Sequence, residues 1–93
     1  MRIGTLKVRL YAPWVHSLKE KRMIVKSLLA KLTNRFNVSA AEVEGQDTLQ
    51  TAVIGIACVA DSSAFLDSVT DKLIDFIESS TQAEIVSVER DIL

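Results

Sequence analysis

The chain has 93 residues, of which 48% are hydrophobic and 25% charged, with a net charge of −1 and one cysteine. A chain this long holds one two-layer domain that buries roughly 60–65% of its unfolded surface, and its composition excludes a disordered tail. Its longest apolar run, Ala52 to Ala60, is nine residues, too short for a membrane-spanning helix. The first residues do not read as a signal peptide and a lone thiol makes no internal disulfide, so a single cytoplasmic domain over residues 1–93, away from any membrane, is expected.

From Arg2 to Ala12 the sequence alternates, with Leu6, Val8 and Leu10 on one face and Thr5, Lys7, Arg9 and Tyr11 on the other. Period-two alternation is the signature of a half-buried strand, and Pro13 ends it. Ser17-Leu18-Lys19-Glu20 then reads as a capping box, in which Ser17 accepts from the Glu20 amide and the Glu20 carboxylate reaches back to the amide of Ser17. Leu18, Val25, Leu28, Leu29, Leu32 and Phe36 recur at helical spacing, which predicts a helix over 18–35. Asn37 to Glu44 alternates weakly as a short strand, and Glu44-Gly45-Gln46-Asp47 is turn chemistry. Thr51 to Ala60 is apolar on both faces, which suits a central strand, and Gly55 within it marks a close approach by another group. Asp61-Ser62-Ser63 caps a second helix whose core stripe is Phe65, Leu66, Val69, Leu73, Phe76 and Ile77; Ala83 to Ile92 is the last strand. The order βαββαβ predicts an α+β, ferredoxin-like fold: a four-stranded antiparallel sheet in the order 4-1-3-2 with both helices on one face.

Several chemistries known on this architecture lack their residues here. Ferredoxins and metal carriers need paired thiolates, and only Cys58 is present; it reads as a buried structural thiol. No metal-ligating cluster or cofactor motif occurs. RNA-recognition motifs stack bases on aromatics of the central strands, whereas the strand over 51–60 has none. The loop Ala12-Pro13-Trp14-Val15-His16 has neither the glycine nor the arginine of a phosphate-cradling hydrolase loop. His16, with no carboxylate or nucleophile beside it in sequence, reads as a surface histidine. The expectation is a protein without catalytic residues.

The charges are segregated along the chain. Residues 1–36 carry nine bases and one acid, and residues 37–93 two bases and eleven acids. Lys19, Lys21, Arg22 and Lys26 crowd the start of the first helix, where the helix dipole disfavours cations and free amides attract anions. Two readings follow. Either this ridge pairs with the acids of the second helix, or it binds phosphates of RNA, with Trp14 and His16 of the preceding loop in reach to stack or touch. Trp14 also suits a plug over the end of the core. A ridge of about four cations predicts a salt slope near −3 to −4. On the sheet face away from the helices, Lys7, Arg9 and Tyr11 lie beside Val53 and Ala57, and apolar groups on an uncovered face predict a homodimer through it.

Ser17-Leu18-Lys19-Glu20-Lys21-Arg22, Phe36-Asn37-Val38-Ser39, Gln46-Asp47 and Ile54-Gly55-Ile56-Ala57, in that order, resemble the signature of the YlxP-like family of small bacterial proteins of unknown function. The likeness runs over essentially the whole chain and departs at Ala40-Ala41, where the family often has a bulkier valine. The resemblance implies a ferredoxin-like fold and, because such proteins are commonly encoded among translation-initiation and ribosome-maturation genes, a place near ribosomal RNA or a ribosomal subunit; it carries over no catalytic residues. The expected function is therefore a non-enzymatic RNA- or ribosome-associated module. The alternatives are a module docking an acidic protein and a small phosphoryl hydrolase.

Overall fold

The computed structural model describes residues 1–93. Its elements are β1 (Arg2–Tyr11), α1 (Leu18–Arg35), β2 (Ser39–Glu44), β3 (Thr51–Ala60), α2 (Ser63–Ser80) and β4 (Glu84–Ile92). The strands form one antiparallel sheet in the order β2-β3-β1-β4, which is the expected order read from the other edge. The fold is the ferredoxin-like α+β arrangement.

Alternation along the central strands sorts the two sheet faces. Leu6, Val8 and Leu10 of β1, with Ala52, Ile54 and Ile56 of β3, turn toward the helices. They meet Val25, Leu28 and Leu32 of α1 and Leu73 and Ile77 of α2, all buried. Each such side chain taken from water contributes about 1.5–3 kcal/mol, and this shared layer fixes both helices on one face of the sheet. Both helix starts are capped as expected, Ser17 accepting from Glu20 N at 3.1 Å and Ser62 from Phe65 N at 3.2 Å. At the far end of α1, the Phe36 and Phe76 rings meet edge to face at 5.5 Å. No helix is long and apolar enough to cross a membrane.

The opposite sheet face is open, and a β-bulge shapes it. Glu42 pairs with Ile54, yet Glu44 already pairs with the next residue back, Val53. Val43 is therefore the extra residue, and the bulge turns Val43 and Glu44 to the same side. Val43 lies down over Gly55, where a Cβ would come within 2.8 Å of Val43 Cγ1, so the close approach expected at Gly55 is made by this valine. Val53, expected to be exposed on this face, is only 1% exposed: the bulge brings Glu44 beside it, and Lys7, Arg9, Ser87 and Glu89 surround it. An uncovered valine patch in the middle of the face is thus replaced by a polar cover. Beyond the bulge, Gly45 turns the chain with φ +72°, a conformation natural to glycine.

Candidate phosphate-binding surface

The site is built around the start of α1. Ser17 holds the Glu20 amide, and Glu20 Oε1 accepts from the backbone amide of His16 at 2.9 Å. The reciprocal cap thus reaches one residue further back than the Ser17 amide expected from the sequence, so it orders the loop ahead of the helix as well. The first helical amides have no intrahelical acceptor. Three hydrogen bonds to Gln50 brace the loop from the side: Ala12 N donates to Gln50 O at 2.8 Å, and Gln50 Nε2 donates to Pro13 O and Val15 O, each at 3.3 Å. Gln50 carries no sequence signal for this role, because its partners are backbone carbonyls far away in the chain.

Lys19, Arg22 and Lys26 are exposed and none of them forms an ion pair. The reading in which the second helix neutralises them fails for a geometric reason. The flank of α1 that faces α2 carries Lys31 and Arg35: Lys31 Nζ donates to Ser80 O at 3.3 Å, and the Arg35 guanidinium sits 5.6 Å from the centre of the Phe76 ring. At about 100° per residue, the Lys19–Arg22–Lys26 ridge lies on the far side of the helix from that flank. Two of the four acids of α2 find another partner: Arg90 of β4 pairs with Asp71 at 2.8 Å and Asp67 at 3.7 Å.

Lys21 does not belong to the ridge. It is 3% exposed, its ammonium donating to Gly45 O and to Thr48 O at 2.6 Å and lying 3.0 Å from Glu42 Oε2. The two carbonyls accept two of the three ammonium hydrogens, and Glu42 Oε2 faces the ammonium as an ion pair without a hydrogen-bond donor of its own. Lys21 is therefore a structural clamp between α1 and the β2–β3 loop rather than a phosphate contact. A signal for this is present in the sequence, since Lys21 stands four residues before Val25 and seven before Leu28, on the apolar stripe.

Trp14 and His16 part company. His16 is exposed in the loop just before the cap. Trp14 is 40% exposed, and the end of the core is closed instead by Val15, at 1%. Trp14 lines a shallow groove of about 360 Å³ with Met23, Ser27 and Lys31, on the α2 side of α1 and away from Arg22 and Lys26. The site that remains is Lys19, Arg22 and Lys26, with His16 and the capped helix end beside them. Cys58 is buried, as expected of a structural thiol.

The family model for the protein of unknown function DUF503 matches residues 3–90. Among curated proteins, the chain is similar to the uncharacterized protein YlxP of Bacillus subtilis (strain 168), with 40% identity over 68 residues, 73% of this chain and 74% of that protein. Among solved structures, it is similar to the de novo designed protein Foldit4, with a TM-score of 0.52 and 13% identity over 99% of this chain and 94% of that one. At that identity the likeness speaks for the fold alone.

Proposed function

The chain belongs to the DUF503 family, and from that premise we propose that it is a non-enzymatic, cytoplasmic module whose α1 ridge binds the phosphate backbone of RNA, on a ribosomal particle or its precursor. The observation that carries this reading is the set of three exposed cations, Lys19, Arg22 and Lys26, that no acid of the chain neutralises. Lys19 sits in the first turn of α1, where a cation costs helix stability, and Arg22 and Lys26 continue the same ridge along the helix, so the start of the ridge is placed for something other than helix stability. Rows of such contacts supply affinity and orientation with little sequence preference. The capped and braced loop keeps His16 and the helix end in one position, so little ordering is left for binding to do.

The test is co-sedimentation with bacterial ribosomal subunits across a salt series, wild type beside Lys19→Glu/Arg22→Glu. With Lys21 withdrawn into the structure, about three phosphates are neutralised and the slope of log K against log salt falls to about −2 to −3. Salt-dependent binding that the double variant loses, while keeping its circular dichroism, supports the reading. Binding that is indifferent to salt or to the variant refutes it, as does the absence of binding at low salt; in that case an acidic protein partner becomes the reading to test.

A further inference from the structure

The open sheet face, on the opposite side of the molecule from the α1 ridge, has a pattern of its own. Cross-strand pairing arranges it in rows. One row is Val59–Ile3–Leu93, the last two joined by reciprocal backbone hydrogen bonds of 3.2 and 2.8 Å. The next is Ser39–Ala57–Thr5–Asp91, then Ala41–Gly55–Lys7–Glu89, then Glu44–Val53–Arg9–Ser87. The first row is apolar and wet: Val59 is 59% and Leu93 67% exposed. Behind it the small side chains of the second row form the floor of a groove of about 690 Å³, with Val43 and Lys7 on its far wall. This face is no polyanion surface, because its cations are already taken: Lys7 pairs with Glu44 at 3.2 Å and Glu89 at 3.4 Å, and Arg9 with Glu44 at 4.0 Å.

We infer that this face docks a second copy of the chain, sheet against sheet, about a two-fold axis running along the strands between β1 and β3. Such an axis keeps each row opposite itself and exchanges β1 with β3 and β2 with β4. Ile3 then meets the partner copy's valine at position 59, twice over, doubling the apolar row. Thr5 faces alanine, Lys7 faces glycine under its valine, and Arg9 faces valine, so the long side chains of β1 lie against the short ones of β3. Asp91 faces serine, Glu89 faces alanine and Glu44 faces serine. In this register no charge is set opposite a like charge, which is the condition that a self-complementary contact has to meet. Aligned sheets pack about 10 Å apart, which leaves room for the lysine and arginine stems. Three strands of roughly 30 Å and the six-residue β2 of roughly 20 Å, spaced about 4.8 Å, present about 530 Å² per copy, hence about 1,050 Å² in all. That is the size of weak, transient interfaces rather than of permanent ones, so the expected association is reversible and concentration-dependent.

Sedimentation velocity from 5 to 500 μM tests the proposal with the full chain. The wild type is expected to shift from monomer to dimer over this range. Ser39→Asp sets two carboxylates opposite each other across the two-fold axis and should weaken the dimer at least tenfold. Adding Asp91→Ser to it exchanges the pair and should restore association. Within one copy these two positions lie at opposite edges of the sheet, about 14 Å apart, so recovery between them reads a contact between copies and not a repair inside one. Val59→Asp, at an exposed position that folding tolerates, should abolish the dimer. A monomer at every concentration leaves the face to a different partner and overturns the proposal; so does a dimer indifferent to Ser39→Asp, or one that Asp91→Ser fails to rescue. None of these outcomes decides whether a single α1 ridge binds RNA.

Discussion

Two lysines two residues apart on α1 should respond to mutation in opposite ways, and the contrast tests the separation of clamp from ridge. In Lys21→Met the stem keeps its place on the apolar stripe while the ammonium is lost. Glu42, whose side chain is 15% exposed, is left charged without its partner, and the carbonyls of Gly45 and Thr48 lose their donor. Removing one partner of a buried pair costs about 3–5 kcal/mol, against a total stability of about 5–14 kcal/mol for a chain of this length. Urea unfolding followed by circular dichroism reads the effect directly. With a slope of about 1 kcal/mol per molar, the midpoint should fall by about 3–5 M. Lys21→Met/Glu42→Leu, which removes both charges and lets the loop carbonyls turn to water, should recover most of that loss. Lys19→Glu, on the exposed ridge, should change stability by no more than about 0.5 kcal/mol, with the helix dipole favouring the new acid. The clamp reading fails if Lys21→Met costs less than about 1 kcal/mol, or if the double variant is no more stable than the single one.

Two further outcomes follow from the open face. Gly55→Ala drives a methyl group into Val43, which would lie 2.8 Å away; overpacking of this kind costs about 1–3 kcal/mol, and Val43→Ala in the same chain should return most of it in the same urea titration, whereas equal loss in both would remove the contact as the cause. Lys7 is held above its ordinary pKa of 10.5 by hydrogen bonds from its ammonium to Glu44 first and Glu89 second, reinforced by their charges. A raised pKa means that the charged, paired form contributes to stability from neutral pH up to the ordinary value and that the contribution disappears as pH climbs through the folded value. The Tm gap between wild type and Lys7→Met should therefore hold steady from neutral pH to about pH 10 and close above it; a gap that closes on acidification alone, or persists in strong alkali, contradicts the assignment.

How much of this the sequence could disclose depended on whether a feature is local. The element order, the helix over 18–35, the strand over 51–60 and the sheet order all follow from hydrophobic period and cap chemistry, which act within a few residues. The burial of Lys21 was half legible: its spacing to Val25 and Leu28 places it on the stripe, but the partners that make a buried ammonium tolerable are carbonyls of a loop 24 and 27 residues away. Grouping it with its basic neighbours by composition alone hid that. The bulge at Val43 was out of reach, because it is a mismatch in count between two strands and exists only once they pair. Its consequences travel with it, so the covered Val53, the filled space over Gly55 and the pairing of Glu44 with Lys7 could not be read from β3 alone. Trp14 illustrates a third limit. An aromatic residue before a helix suits both a plug, the reading its place in the sequence favours, and a stacking platform, and only the path of the loop decides that Val15 turns inward and Trp14 toward α2.

The two proposed surfaces lie on opposite layers of the molecule, and this fixes how they would work together. A sheet-to-sheet dimer places its helices outermost, so both basic ridges stay exposed, roughly 30 Å apart across four layers. Neither ridge is consumed by the interface and none of its residues contributes to it. Binding of one ridge to a large RNA would then present the second at a high effective concentration, which strengthens attachment without any new contact. The signature is a salt slope that depends on protein concentration: about −2 to −3 where the chain is monomeric, and approaching twice that where it is dimeric and both ridges reach the same particle. The Ser39→Asp chain, held monomeric, should keep the shallower slope at every concentration and keep its sensitivity to Lys19→Glu/Arg22→Glu. A wild-type slope that stays constant across the monomer–dimer range would mean that the two ridges do not reach one RNA together, leaving each surface to act alone.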